Sequence, residues 1–181
     1  FKELGLTPPV TSDYFQRFPL FKTFWNAVYI EKDGEVKSWE KDFLYYSYAD
    51  TEGEQLIEAV WLGAGDPDSV NLKGKYIALT ENGALKWQDH IEALMIHGPA
   101  GFIIVNEDGD RLNKIITQYA KMNKSPKYQT ELKESGKKIL ITSRNFAGWL
   151  FEQPFDSLKS GDITNFNFNA DMQIDNVGSE N

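Results

Sequence analysis

The chain has 181 residues, of which 41% are hydrophobic and 25% charged, a composition typical of one globular domain of ordinary size. Its formal net charge is −8 and its basic residues are scattered, which argues against binding of nucleic acid or of anionic membrane surfaces. The lack of cysteine excludes disulfides, thiol nucleophiles and thiolate metal sites, and no apolar run approaches the ~20 residues that span a bilayer.

The first third of the chain predicts antiparallel β structure. Aromatic and β-branched residues concentrate in short segments that have the composition of strands: Tyr14–Leu20, Phe24–Ile30, Val36–Trp39, Asp42–Tyr48 and Gln55–Leu62. The Asp33-Gly34 step between the second and third segments is a strong hairpin signal. No segment in this region has the apolar spacing of a long helix.

The stretch from Leu72 to Val105 predicts a strand, a helix and a second strand. Lys75–Thr80 and Gly101–Val105 have the nearly continuous apolar character of strands covered on both faces. Lys86–His97 between them is amphipathic, and Gly98 with Pro99 should end it. Its inward face is predicted from residues at helical spacing: Trp87, Ile91, Leu94 and Met95. Such a unit of about 30 residues should place its two strands parallel.

The rest of the chain repeats this alternation and then returns to β structure. An amphipathic helix is predicted over Arg111–Met122, with Leu112, Ile115, Ile116 and Tyr119 inward, and a buried strand over Lys138–Thr142. Ser143 should cap a helix that runs to about Glu152, with Phe146, Trp149 and Leu150 inward. Ile163–Ile174 alternates apolar and polar residues, which predicts a half-buried edge strand. The expected fold class is α/β (α+β), an α/β layer joined to a β-rich layer.

Motifs that carry chemistry are scarce. The sequence holds no Gly-x-Ser-x-Gly elbow, P-loop or His-Glu-x-x-His pair. Gly63-Ala64-Gly65 has the first two glycines of a dinucleotide fingerprint, but Asp66-Pro67-Asp68 follows, and its carboxylates would repel a pyrophosphate. We therefore predict no catalytic and no cofactor-binding residue on this chain, although a catalytic pair of carboxylates assembled from distant residues stays open.

Metal ligands are not predicted either. His90 and His97 lie seven residues apart on one helix, about 10 Å along its axis, too far to share one ion unaided. Asp66 and Asp68 could hold calcium, as could Glu107, Asp108 and Asp110. The second group lacks the spacing of a calcium loop, and acidic turns and a helix cap also explain both groups.

The run Phe43–Tyr48 places large rings on both faces of one strand. Tyr45, Tyr46 and Tyr48 are candidate ligand contacts, because exposed rings form platforms for sugars or peptide side chains. The other interpretation, which the pattern favours, is a central strand packed on both sides.

The middle of the chain resembles the protease-associated domain. The resemblance begins with Leu-Lys-Gly-Lys-Tyr-Ile-Ala-Leu at 72–79 and continues through the helix Lys86–His97 and the corner Gly98–Gly101. It then includes the strand that ends in Asn106, and Lys-Ile-Leu-Ile-Thr-Ser at 138–143 before a short helix. The order and spacing over Ala59–Phe151 carry the likeness, and Gly98-Pro99-Ala100 departs from the family's usual Ala-Gly-Ala.

The flanks resemble a zinc aminopeptidase of the two-metal exopeptidase family. Phe1–Leu6 has the form of a last helical turn closed by Gly5, and Asp175-Asn176-Val177-Gly178 is similar to the segment where the family's catalytic domain resumes. We therefore expect a piece of a longer protein. Its border segments would be residues 1–13 and 175–181, and residues 14–174 would form the inserted domain.

The resemblance implies a β-sandwich or barrel-like sheet around a strand–helix–strand core with flanking helices. It also implies a non-catalytic accessory domain of a secreted aminopeptidase, which covers or shapes the active site and contacts substrate or other proteins. Zinc would belong to the parent catalytic domain, because this chain has none of the family's His-x-Asp ligand motifs. The expected partners are that catalytic domain and peptide or protein substrates, in an extracellular, periplasmic or cell-envelope location. The alternative is a stand-alone carbohydrate- or peptide-binding module that uses residues 43–48.

Overall fold

The computed structural model describes residues 19–39, 41–47, 53–80, 87–123, 125–133 and 136–178, without the side chains of 87, 88 and 120–123. The predictions for residues 1–13, for most of Tyr14–Leu20 and for Tyr48 lie outside this range. In chain order the strands and helices are β1 (Phe21–Lys32), β2 (Glu35–Ser38), β3 (Phe43–Ser47), β4 (Glu54–Trp61), β5 (Tyr76–Thr80), α1 (Trp87–Leu94), β6 (Gly101–Asn106), α2 (Gly109–Asn123), β7 (Lys127–Gln129), β8 (Lys138–Ser143), α3 (Arg144–Leu150) and β9 (Ile163–Asn176).

The strands form one mixed sheet that curls into a nearly closed barrel. Neighbours follow the order β2, β1, β9, β4, β5, β6, β8, β3, and β7 pairs with the beginning of β1. The pairs β4–β5, β5–β6 and β6–β8 are parallel, and the other pairs are antiparallel. The fold is therefore α+β, a barrel-like sheet with three α-helices in the described part of the chain, which confirms the coarse fold class.

The predicted hairpin and the predicted crossover are both present. Asp33 and Gly34 have φ of 51° and 77°, the left-handed conformations of the tight turn that joins β1 to β2. β5 and β6 are parallel neighbours, with Tyr76 paired to Gly101, and every residue of β6 is buried. α1 lies between them in sequence, so the strand–helix–strand prediction is confirmed.

The end of α1 differs from the prediction in one respect. The last turn, Met95–His97, is a 3₁₀ helix that Gly98 ends in a left-handed conformation. Ile91 and Leu94 are buried as predicted, but Met95 is 40% exposed. A 3₁₀ turn advances by 3.0 rather than 3.6 residues, so the last turn loses the register of the apolar face. The prediction that Met95 faces inward was wrong.

Two predictions about strand position were also wrong. β9 is not an edge strand, because it lies between β1 and β4 and pairs with both. β3 is not central, because it ends the described strand order and pairs with β8. Alternation reports which faces of a strand are buried, whereas edge pairing depends on partners far away in sequence. The antiparallel structure predicted for the first third is present, but β3 forms it with β8 and β4 forms it with β9, and β4 is also parallel to β5.

The core lies on both sides of the sheet. The barrel interior holds side chains from β1, β3, β4, β5, β6, β8 and β9, and α3 packs into it through Phe146, Ala147 and Leu150. On the outer face, α1 covers Ile77, Phe102 and Ile104, and α2 covers Leu44 of β3. The outer faces of β1, β9 and β4 carry mainly exposed or half-buried side chains instead. The molecule thus has a parallel half covered on both faces and an antiparallel half covered on the inner face.

Candidate functional site

The aromatic strand is part of the packing in the described structure. Tyr45 is 3% exposed, and its ring lies 5.6 Å from Trp25 and 5.0 Å from Phe168, centroid to centroid. Tyr46 points to the opposite face and meets Tyr119 of α2 edge to face at 5.7 Å. Burial, reinforced by the neighbouring Tyr119, raises the pKa of Tyr46 well above the ordinary value of a tyrosine. Both rings are engaged in core contacts, and Tyr48 lies outside the described residues.

The two histidines lie in different surroundings. His90 is half-buried and lines a pocket of about 330 Å³ beside Gly63, Pro67 and Leu94. His97 is half-buried in the 3₁₀ turn that follows α1. Within the described residues, no three histidine or carboxylate side chains are grouped to hold a metal ion.

One carboxylate in each acidic group has a local structural role. Asp66 Oδ1 accepts a hydrogen bond from the Asp68 amide at 3.0 Å and so caps the 3₁₀ turn Pro67–Ser69. Asp108 Oδ1 accepts from the Arg111 amide at 3.0 Å, the bond of a helix N-cap at the start of α2. These hydrogen bonds support the interpretation of Asp66 as a turn residue and of Asp108 as a helix cap.

The Gly63-Ala64-Gly65 turn owes its glycines to close packing. A Cβ at Gly63 would lie 2.9 Å from Trp61 Nε1, and one at Gly65 would lie 2.6 Å from Ser160 Oγ. The turn also uses its own amides, because Gly63 N–H donates to Ala78 O at 3.2 Å and Gly65 N–H to Leu62 O at 2.8 Å. Packing explains the motif that resembled a dinucleotide fingerprint.

A cleft of about 320 Å³ lies at the carboxyl ends of β6 and β8. Leu112, Ile116 and Phe146 form its apolar floor, and all three are at most 5% exposed. Asn113 and Asn145 present exposed amides on its walls. The carboxyl ends of parallel strands lie at one edge of a sheet, together with the first turns of the helices that follow them. Ligands of α/β sheets bind at this edge. Sequence reasoning missed this cleft. A usable signal was present, because each of the two strands is followed by polar residues and then by a helix.

The rim of the cleft is held by a contact between the β1–β2 hairpin and α3. Trp149 Nε1 donates to Glu35 Oε2 at 2.8 Å, and Lys37 Nζ lies 2.5 Å from Glu35 Oε1 and 5.3 Å from the Trp149 ring. The hydrogen bond from Lys37, with a second from Trp149, lowers the pKa of Glu35. Lys37, Lys41 and Asp42 also line the cleft, which therefore carries charges of both signs beside the two amides.

Comparison with known proteins gives no assignment: no protein-family model matches the sequence, and no curated protein matches it significantly. In the part of the chain that the structure describes, no helix combines the length and apolar character needed to cross a membrane.

Proposed function

We propose that this chain is a non-catalytic accessory domain of the protease-associated type, inserted in a secreted zinc-dependent aminopeptidase. In this proposal the domain covers or shapes the active site of the parent enzyme and contacts its protein or peptide substrates. The zinc ions belong to the catalytic domain.

One observation carries the insertion proposal: among the described residues, the beginning of the first strand lies beside the end of the last strand. Phe21 at the start of β1 pairs with Asn176 at the end of β9, and Val177 N–H donates to Leu20 O at 2.9 Å. Antiparallel partners have Cα atoms roughly 4.5–5.5 Å apart. A domain with this geometry replaces a short surface loop of a host without separating the residues on either side.

The order of the elements also supports the protease-associated type. The turn Lys73–Lys75 precedes β5, β6 ends in Asn106, and β8 leads into a helix that Ser143 caps. The Ser143 Oγ accepts a hydrogen bond from the Phe146 amide at 3.2 Å. These are the pieces on which the resemblance rests, and β5, β6 and β8 lie next to one another in the sheet.

The first test is peptidase activity of the purified chain. With zinc or cobalt added, we expect no turnover of an aminoacyl-anilide by this chain alone. Clear turnover that a chelator abolishes would contradict the assignment as an accessory domain.

The second test is removal of the domain from its parent. Replacing residues 21–174, the described part of the inserted domain, by a short Gly-Ser linker should leave a folded catalytic domain that still hydrolyses a small anilide, because the linker spans the same short gap. We expect its rates on longer peptides to change, since the substrate would lose contacts with the domain. A parent that lacks an exopeptidase domain around this chain would refute the proposal.

A further inference from the structure

The outer face of the antiparallel half is an ordered polar surface. On β9 the residues that point outward are Asn165, Asn167, Asn169 and Asp171, and they alternate with buried residues. The register sets partners beside them on the same face: Asn169 lies between Tyr29 and Glu54, and Asn167 lies between Glu31 and Leu56. Cross-strand neighbours of this kind have Cβ atoms about 5 Å apart. We call this surface, formed by the outward residues of β1, β9 and β4, the outer face.

The outer face is acidic. It carries the carboxylates of Glu31, Glu54, Glu58, Asp171 and Asp175, and the ammonium of Lys22, which pairs with Asp175 at 3.8 Å. Lys75 pairs with Glu58 at 2.5 Å. Among the described residues, neither Glu31 nor Glu54 takes part in an ion pair. A strip with several carboxylates and few cations attracts positively charged groups.

Two further features indicate a polypeptide rather than a small cation. Leu56 is 76% exposed in the middle of this polar strip, where an apolar contact would bury it. Asn169 donates from Nδ2 to the Tyr29 hydroxyl at 3.1 Å, while its Oδ1 has no donor within the described residues. That oxygen is buried in the structure, so a rotation of the amide that gives up the Tyr29 bond would be needed to present it to an incoming N–H.

We infer that the outer face docks a lysine- or arginine-bearing polypeptide segment. Its ammonium or guanidinium groups contact Glu31 and Glu54, its backbone meets the asparagine row, and an apolar side chain covers Leu56. This inference rests on the proposed function, because it names the surface through which an accessory domain meets a protein partner.

The test uses the purified chain and hexalysine as the probe, with hexaglutamate and a Gly-Ser hexapeptide as controls. In ¹⁵N NMR titrations we expect hexalysine to shift resonances of β1, β9 and β4, with weaker binding as salt is raised. The double variant Glu31→Gln/Glu54→Gln should lower the affinity roughly fivefold to tenfold. The matched double variant Glu107→Gln/Asp110→Asn removes as much charge from the beginning of α2 and should lower the affinity by less than about twofold.

Equal weakening by the two double variants would mean that hexalysine responds to net charge alone, and it would overturn the inference. Shifts confined to the helical side, or no binding at low salt, would also overturn it. The parent's peptidase activity is not measured in this experiment, so its failure would leave the accessory-domain proposal standing. Conversely, turnover by the isolated chain would refute that proposal without affecting the outer face.

Discussion

The two halves of the sheet use the same strand geometry but bury different numbers of faces. In the parallel half, β6 lies between the barrel interior and α1, and all six of its residues are buried. In the antiparallel half, β9 buries Phe166, Phe168 and Ala170, whereas Asn167 between them is exposed and Asn169 is half-buried. The difference shows that apolar runs and alternation in this sequence record how many faces of a strand are covered. It also identifies the half whose outer face carries mainly exposed or half-buried side chains.

The largest effect should come from a matched pair of substitutions, one in each half. Phe102 is 1% exposed beneath α1, and Phe102→Ala should lower the free energy of unfolding by about 3–5 kcal/mol because it leaves a cavity. Asn167 points outward from β9, and Asn167→Ala should change it by less than about 0.5 kcal/mol. Urea denaturation of both variants measures the contrast. Similar losses at the two sites would mean that the outer face of β9 is covered as well.

A smaller effect is expected where the two halves meet. Thr164 of β9 donates from Oγ1 to Leu150 O at 2.7 Å and accepts from Lys32 Nζ at 3.0 Å. Thr164→Val removes both bonds at a buried position and should cost about 1–3 kcal/mol of unfolding free energy. Thr117→Val, on the exposed side of α2, is the control and should change it by less than about 0.5 kcal/mol. Equal melting temperatures of the two variants would contradict the importance of the hydrogen bonds that Thr164 makes with Leu150 and Lys32.

Tyr46 gives a pH test of the covered outer face of β3. Its pKa is raised in the folded chain, so the unfolded chain releases this proton first as the pH rises above 10. The associated stability is complete below that pH and is lost as the pH rises towards the folded-state pKa. Tyr46→Phe should therefore flatten the decline in stability at high pH, measured by urea titrations at several pH values. An unchanged decline would mean that Tyr46 is more solvated than its contact with Tyr119 indicates.

The smallest effect concerns the exposed contact between Glu35 and Trp149. The pKa of Glu35 is lowered in the folded chain, so the contact is fully formed above the ordinary value of 4.5 and is lost as the pH falls below it. The indole N–H resonance of Trp149 should shift in this acid range, and Glu35→Gln should remove that step. A Trp149 resonance that still titrates in the variant would assign the step to another carboxylate.

Sequence patterns predicted most of the local structure and little of the pairing between distant strands. The Asp33–Gly34 turn, the Ser143 cap and the burial of Ile91 and Leu112 follow from short-range rules, and the structure confirms each of them. The central position of β9 could not be predicted, because its partners lie more than a hundred residues away. Met95 was misplaced because helical spacing does not reveal a final 3₁₀ turn.

The candidate surfaces were harder to predict than the elements. The tyrosines of β3 were the most conspicuous residues in the sequence, yet Tyr45 and Tyr46 pack against other rings. The cleft beside Asn113 and Asn145 depends on α2 and α3 starting at one edge, which requires knowledge of the strand order. The row of asparagines on β9 is visible in the sequence, but its acidic flanks belong to strands that only the fold brings beside it.

The pairing of Phe21 with Asn176 also determines how the domain responds to mechanical force. A pull that separates the two ends acts across the β1–β9 ladder at its open end, so its hydrogen bonds break one after another, as in a zipper. Strands pulled in shear would instead have to break many bonds together. We therefore expect a low unfolding force in single-molecule pulling from these two ends, whatever the thermodynamic stability of the barrel.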